Sequence, residues 1–580
     1  MTCAPIKDSY DVIIVGAGAS GCVLAGRLSE IPSKRVLLIE AGPDVPPGRE
    51  HADIRDPYPV SSGNPRFFWP GLTAEVGADL GNDRPRNSAP YLQGLGVGGG
   101  SNVNGMAADR GKPADYDMWR DLGASGWGWG DVLPYFKKLE HDVDLVGPAH
   151  GKDGPIPIRR LDPQQWAPFA KAFARIAERR GAVLTTEPLD DSRAELSSMP
   201  MNSLANRRVS ASMAYLTEQV RRRPNFTILS NTRAERIHVR NGAMPGVMVR
   251  TGALTTTLWA PEIILSCGTV LSPALLLRSG IGPAEQLGKL GLDTVCDLPG
   301  VGRNLQNHPL VSLAVHLTPA GMQSATQRAW QQSQLRYSSL VSGCPPKDML
   351  IFPVNKTAWH ALGRSIAVIA VMVGNAYSKG HVELASADPA VAPRVRFNVL
   401  DDSRDFERLV DGTRLALEML NADEMLGVRD EVLVPDAAIV ARLAQRSIWT
   451  RLGASLISSI LRIGSLRRTL LRKSILDVRA MASSEHSIRH YVRANAYAVH
   501  HACGTCRMGS SGDPGAVVDS SCRVFGIPGL RVIDASVFPA VPSGETHLPV
   551  LMVAEKMADQ IKAEWREQRT HGVRTACKTE

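Results

Sequence analysis

The stretch Asp11 to Glu40, DVIIVGAGASGCVLAGRLSEIPSKRVLLIE, restricts the fold more than any other part of the chain. A short apolar run, Val12 to Val15, leads directly into Gly16, Gly18 and Gly21 in G-x-G-x-x-G spacing. Ala19 and Ser20 open a helical pattern with Val23, Leu24 and Leu28 on one face, and a second apolar run, Val36 to Ile39, stops at Glu40. This pattern predicts two buried parallel strands joined by a crossover helix. Such a unit has dinucleotide chemistry at each expected point. Gly16 permits the tight turn, Gly18 lets the backbone approach a pyrophosphate, and Gly21 lets helix and strand pack closely. Unpaired N–H groups at the helix start favour the phosphates. Glu40 is placed to accept from both ribose hydroxyls and would repel a 2′-phosphate, which disfavours NADP. The unit alone does not separate FAD from NAD.

The 580 residues suffice for several domains or two large interleaved ones, and the net charge of +9 is mild for that length. No stretch approaches the ~18 apolar residues of a membrane span. The best run, Ile366 to Val373, is strand-length and rich in β-branched residues. The N-terminus, MTCAPIKDSYD, has no apolar signal region, which predicts a cytoplasmic protein. Nine irregularly spaced cysteines predict free thiols. Cys503 and Cys506 form a C-x-x-C that a redox pair or half a metal site would use. No second C-x-x-C or H-x-x-H answers it, so no metal is expected, and two small buried residues in a tight loop is the plainer reading.

After Glu40, the Pro/Gly/Asp-rich stretch Gly42 to Pro59 predicts a surface excursion. Gln93 to Asn104, QGLGVGGGSNVN, predicts an extended segment whose backbone lies against a flat ligand. Residues 227–239 read as strand and 405–420 as helix. Residues 442–474 carry Arg442, Arg446, Arg451, Arg462, Arg467, Arg468, Arg472 and Lys473 with no acid, and leucines and isoleucines fall between them at helical spacing. This basic amphipathic helix suits contact with an anionic membrane surface, a lid over a hydrophobic substrate, or a solvated rim. Nothing supports nucleic-acid binding.

Several separate motifs, in order, give the chain a resemblance to the glucose–methanol–choline (GMC) oxidoreductases. They are the Asp11–Glu40 unit with Gly98 to Asn104, the run Gly268 to Pro283, the run Leu298 to Leu305 with His308-Pro309, and the block His501 to Lys556. The chain is most similar to bacterial alcohol oxidases and dehydrogenases of that family, including those acting on hydroxymethylfurfural-type aryl alcohols. The resemblance implies an α/β fold, α+β overall. A Rossmann-like FAD-binding domain (1–155, 205–309 and 491–580) would interleave with a substrate domain (156–204 and 310–490) built on an antiparallel sheet with helices. It implies FAD held by Gly16, Gly18, Ala19, Ser20, Glu40, Ala41, Trp69, Gly99, Ser101, Asn104, Ala234, Asp534, Ala535, His547 and Pro549. Val103 stands where some members carry a histidine bonded to flavin, so the FAD is expected to be non-covalent. Leu95 stands where many have Arg.

The sequence from His500 to Gly509 resembles the family block H-x-x-G-T-x-x-M-G, with His501 as the active-site histidine. The implied reaction removes the hydroxyl proton of an alcohol at His501 while its α-hydrogen leaves as hydride to flavin N5. Oxygen or another acceptor then takes the electrons. Imidazole, titrating near pH 6.5, suits the proton step. Pro549 is expected as the first residue of the helix that follows. The second catalytic position, Asn or His in relatives, is Glu545 here. Three accounts remain open. Glu545 acts as the base or holds the imidazolium that forms, it binds a cationic substrate group, or His547 takes over the partner role. A non-redox lyase on the same scaffold, like the hydroxynitrile lyases, is the alternative function, and a degenerate FAD scaffold serving as a partner protein is a third.

Overall fold

In the computed structural model the strand Val12–Val15 is the middle of a five-stranded parallel sheet. The structure describes residues 9–77, 88–186, 192–204, 207–240, 244–435 and 443–576. Arg442, Cys3 and Cys577 lie outside the described residues. The strand order is Phe226–Leu229, Val36–Ile39, Val12–Val15, Glu262–Leu265, Leu530–Val532. Ile13 stands opposite Leu37 on one side and Ile263 on the other. Every residue of the two N-terminal strands is buried, as expected for a sheet covered on both faces. Helix Ala19–Leu28 covers one face, and the C-terminal helix His547–Ala576 packs on it. A Cβ on Gly21 would overlap the Gly16 carbonyl oxygen, so only glycine permits this helix-to-strand approach.

A second, largely antiparallel sheet of nine strands is centred on Pro309–Leu317 and Ile366–Val373. Its two faces separate by the period-2 alternation of side chains. Ala367, Ile369, Val371 and Val373 enter the core against helix Ser403–Asn421. Val368, Ala370 and Met372 point the other way, into a large cavity. Strand Glu195–Ser198 joins this sheet, and Tyr497–Ala498 pairs with Pro309 and Leu310. A four-stranded sheet unites Thr73–Gly77 and Ser88–Pro90 with His381–Glu383 and Arg394–Val399.

Four local expectations are corrected. Residues 227–239 form two strands, Phe226–Leu229 and Thr232–Arg240, because Asn231 between them adopts a left-handed φ of 52°. The glycine run does not stay extended, since Gly99–Asn102 closes a 3₁₀ turn after Gly98 at φ 108°. The basic segment forms two helices, Ile448–Leu461 and Gly464–Leu470, parted at Arg462 and Ile463. The last helix begins at His547, making Pro549 its third residue, because the Val550 amide already donates to Thr546. Proline fits there because first-turn amides have no intrahelical partner.

Candidate active site

The cavity has a volume of about 2330 Å³ and lies at the carboxyl ends of the parallel strands, touching Val15, Ile39 and Ser266. That is where open parallel sheets bind ligands. Its size exceeds the roughly 300–1,000 Å³ of ordinary small-molecule pockets, which leaves room for a dinucleotide and a substrate together. Every residue expected to hold the cofactor lines it, except Pro549. Pro549 is buried within the first helical turn and does not reach the wall.

The nucleotide end is built from backbone. Gly16 has φ +99°, and a Cβ there would stand 2.5 Å from the Ser266 carbonyl oxygen. The glycine run folds onto this turn: Gly98 donates to the Ala17 carbonyl at 2.8 Å, and a Cβ on Gly99 would be 2.8 Å from the Gly18 Cα. A Cβ on Gly18 meets only the Ser266 oxygen at 3.8 Å, so it would project into the open space a pyrophosphate needs. Gly18 caps helix Ala19–Leu28 without a side-chain acceptor, leaving the first amides, at Ala19 and Ser20, turned to the cavity.

Glu40 is more occupied than its place after a strand suggests. Oε2 accepts from the Ala17 amide at 2.9 Å, while Oε1 accepts from Gly42 at 2.9 Å and Gly96 at 3.0 Å. A carboxylate accepts about four hydrogen bonds, so about one position is left for a ribose hydroxyl. Ala41 lines the wall beside it, and Ala234 does so at a register shift in its strand. Trp69 is anchored through its amide to the Gln93 carbonyl at 2.9 Å.

Further along, Ser101 donates to the Gly98 carbonyl at 2.6 Å and accepts from the Ala211 amide at 3.0 Å. Asn104 Oδ1 accepts from Arg208 at 2.6 Å, and its side-chain nitrogen, Nδ2, has no partner among the described residues. Asp534 accepts from Gly268 at 2.8 Å, from Ser272 at 2.6 Å and from Ser536 at 2.8 Å. Burial nevertheless raises its carboxyl. Ala535 follows it on the wall. His547 lines the cavity, its Nε2 is buried without a hydrogen-bond partner, and burial, reinforced by the Arg208 charge, pushes its imidazole down to about 4. A glycine cradle, helix-start amides and a carboxylate are a donor and acceptor set that fits a dinucleotide such as FAD.

The reaction end holds two histidines and a carboxylate in line. His501 Nε2 is 2.5 Å from Glu545 Oε2, and His501 Nδ1 is 2.8 Å from His308 Nδ1. His308 Nε2 lies 2.9 Å from the Pro542 carbonyl oxygen, which can only accept. His308 is fully buried, and burial with the nearby His501 charge pushes it down to about 3. It is therefore neutral, donates from Nε2 and accepts at Nδ1. His501 must then donate from Nδ1, which leaves Nε2 toward Glu545 and the cavity.

The loop carrying Glu545 is held by groups that no sequence motif marked. Asp115 accepts from the Ser543 amide at 2.8 Å and hydroxyl at 2.6 Å. Arg336 donates to the Ser543 carbonyl at 3.1 Å and to Asp109 at 2.6 Å, and the Glu545 amide donates to the Asp109 carbonyl at 3.1 Å. Arg208 is fully buried and ties Ile54, Ser101 and Asn104 together. Unlike these groups, His308 carries a sequence signal, its place before Pro309 in the run that follows Leu298 to Leu305. Cys503 and Cys506 are both buried and free, with thiols pushed up by burial, so the plainer reading of the C-x-x-C holds.

The fold and the proteins it matches make this an FAD-dependent oxidoreductase acting on CH–OH groups. The models of the GMC oxidoreductase N- and C-terminal regions match residues 10–310 and 376–554, and the chain belongs to the GMC oxidoreductases. It is 38% identical over 564 residues to 5-(hydroxymethyl)furfural oxidase of Methylovorus sp. (strain MP688), covering 95% of this chain and 98% of that protein. It is 32% identical to an oxygen-dependent choline dehydrogenase of Rhizobium etli, covering 95% of each. Among solved structures, pyridoxine 4-oxidase from Mesorbium loti superposes with a TM-score of 0.77 at 27% identity, over 95% of this chain and 99% of that one. The enzyme catalyses FAD-dependent oxidation of an alcohol.

Proposed function

We propose that the substrate is a primary alcohol on an aryl or furan ring, oxidised to the aldehyde with oxygen as final acceptor. The observation that carries this reading is the His308–His501–Glu545 line opening onto the cavity. The near full-length identity with the hydroxymethylfurfural oxidase supports the substrate class. In this reading the parallel-sheet body holds the cofactor and the nine-stranded sheet holds the alcohol. Free thiols at the seven described cysteines support a reducing, cytoplasmic setting.

Bound FAD would supply the acceptor for two electrons and the α-hydrogen. Gly18, Ala19, Ser20 and Gly99 would hold its pyrophosphate, Glu40 its ribose, and Asn104, Asp534 and His547 its ring end. His308, neutral, accepts from His501 Nδ1 and so leaves His501 Nε2, the nitrogen that meets Glu545 at the cavity, as the one that exchanges a proton. As the alcohol O–H bond breaks, its proton bonds to His501 Nε2, and Glu545 holds the imidazolium that forms. Glu545 is favoured over His547 as the partner because Glu545 touches His501, whereas the His547 Nε2 is unpartnered.

Anaerobic mixing of the holoenzyme with 4-methoxybenzyl alcohol tests the reading. The flavin band should bleach as aldehyde forms, and admitted oxygen should restore it. Aldehyde release without bleaching would mark a lyase, and restoration only by a dye acceptor would mark a dehydrogenase. His501→Ala should retain FAD and slow bleaching by roughly 10²-fold or more.

A further inference from the structure

The outer face of residues 443–474 takes no part in this chemistry. Helix Ile448–Leu461 turns Ala454, Ser458 and Leu461 inward, and Ile457 and Leu461 reach the cavity wall. On its other side Ile448, Leu452 and Leu456, spaced i, i+4, i+8, form a stripe with Trp449 beside it. These four are 60%, 57%, 64% and 80% exposed. At and past the break Ile463, Leu466 and Leu470 are exposed as well, at 53%, 44% and 63%. Singly exposed apolar residues are ordinary on a surface, but seven large ones within 23 residues, four of them on one side of a helix, mark a binding face.

Its charge is one-sided. Residues 443–474 contain no Asp or Glu. Arg446 pairs with Asp53 at 3.2 Å, Arg467 with Asp430 at 3.1 Å and with Glu431, and Arg468 lies 4.0 Å from Glu431. Arg451, Arg462, Arg472 and Lys473 are exposed and have no ion pair among the described residues. Arg451 and Arg462 fall at the edge of the apolar stripe by the helical period.

We infer that this face docks on the surface of an anionic lipid bilayer, with helix Ile448–Leu461 lying in the interfacial plane. An apolar stripe flanked by arginines, with a tryptophan among its residues, fits the boundary between acyl chains and anionic headgroups. No helix among the described residues is long and apolar enough to cross a membrane, so the contact is peripheral. A second copy fits the face poorly: a two-fold interface apposes identical patches and would set these four cations against their own counterparts.

The test floats FAD-loaded enzyme with vesicles of phosphatidylcholine alone or with one third phosphatidylglycerol. The enzyme should float with the anionic vesicles, at least tenfold less with the neutral ones, and less as salt rises. Combined Arg451→Gln, Arg462→Gln and Arg472→Gln should weaken binding by roughly 10²-fold. Trp449→Ser with Leu456→Ser should abolish flotation while FAD absorbance and activity on a water-soluble alcohol stay unchanged. Absent flotation, equal flotation with both vesicle types, or flotation that survives these variants overturns the inference. So does an oligomer in light scattering that Trp449→Ser with Leu456→Ser dissociates, since a second copy would then be the occupant.

Discussion

Burial keeps His308 neutral, and the Pro542 carbonyl then decides which nitrogen of the His308–His501 pair carries a proton. Imidazole titrates near 6.5 in the unfolded chain, but His308 is held at about 3. Between those values the unfolded state binds a proton that the folded state refuses. The stability tied to His308 is therefore complete above pH 6.5 and is lost as pH falls toward 3, by about 1.4 kcal/mol per unit. Thermal melts should fall across that window, and His308→Asn should melt with a shallower pH slope; an unaltered slope would clear His308 of the effect. His308→Leu should slow flavin reduction by roughly 10²-fold, since His501 would lose the acceptor that fixes its tautomer. Glu545→Asn should change the pH dependence of flavin reduction, and an unchanged profile would remove the carboxylate from the proton step. His501 and Glu545 were readable because both sit in one late block of sequence. Asp109, Asp115 and Arg336 were not, because their contacts to the Glu545 loop join positions hundreds of residues apart.

At the scale of elements, the nucleotide cradle follows from glycine spacing more directly than any other part of the site. Gly16, Gly18 and Gly21 each do a different job, and only Gly18 faces free space where a side chain fits without displacing protein. Gly18→Val should leave a folded chain with a near-normal melting temperature in the absence of cofactor but little retained FAD, read from the 450 nm absorbance after gel filtration. Full FAD occupancy in that variant would move the pyrophosphate elsewhere. The strand and helix of Asp11–Glu40 were legible because local apolar period and tertiary burial agree there. The glycine run was misread because its turn is set by contacts with the Ala17 carbonyl and Gly18, which no local pattern encodes. Likewise, a continuous basic apolar pattern over 443–474 conceals a break at Arg462 and Ile463, where Ile463 turns extended.

At the scale of the molecule, the parallel sheet is closed by Leu530–Val532, which pairs with Glu262–Leu265. The C-terminal helix then locks against Ala19–Leu28, where Glu555 pairs with Arg27 at 2.8 Å. A chain ending at residue 520 should be insoluble, or bind no FAD, because it lacks the last strand, Asp534 and His547; a soluble, yellow product would contradict this sheet order. The order also sets a schedule on the ribosome. At roughly 5–20 residues per second, the passage from residue 265 to 530 takes about 13–50 s. Throughout that interval the edge of Glu262–Leu265 emerges with no strand to pair it, in an apolar segment suited to pairing with a neighbouring nascent chain. Yield of this enzyme in a foreign host should therefore depend on what shields that edge during translation.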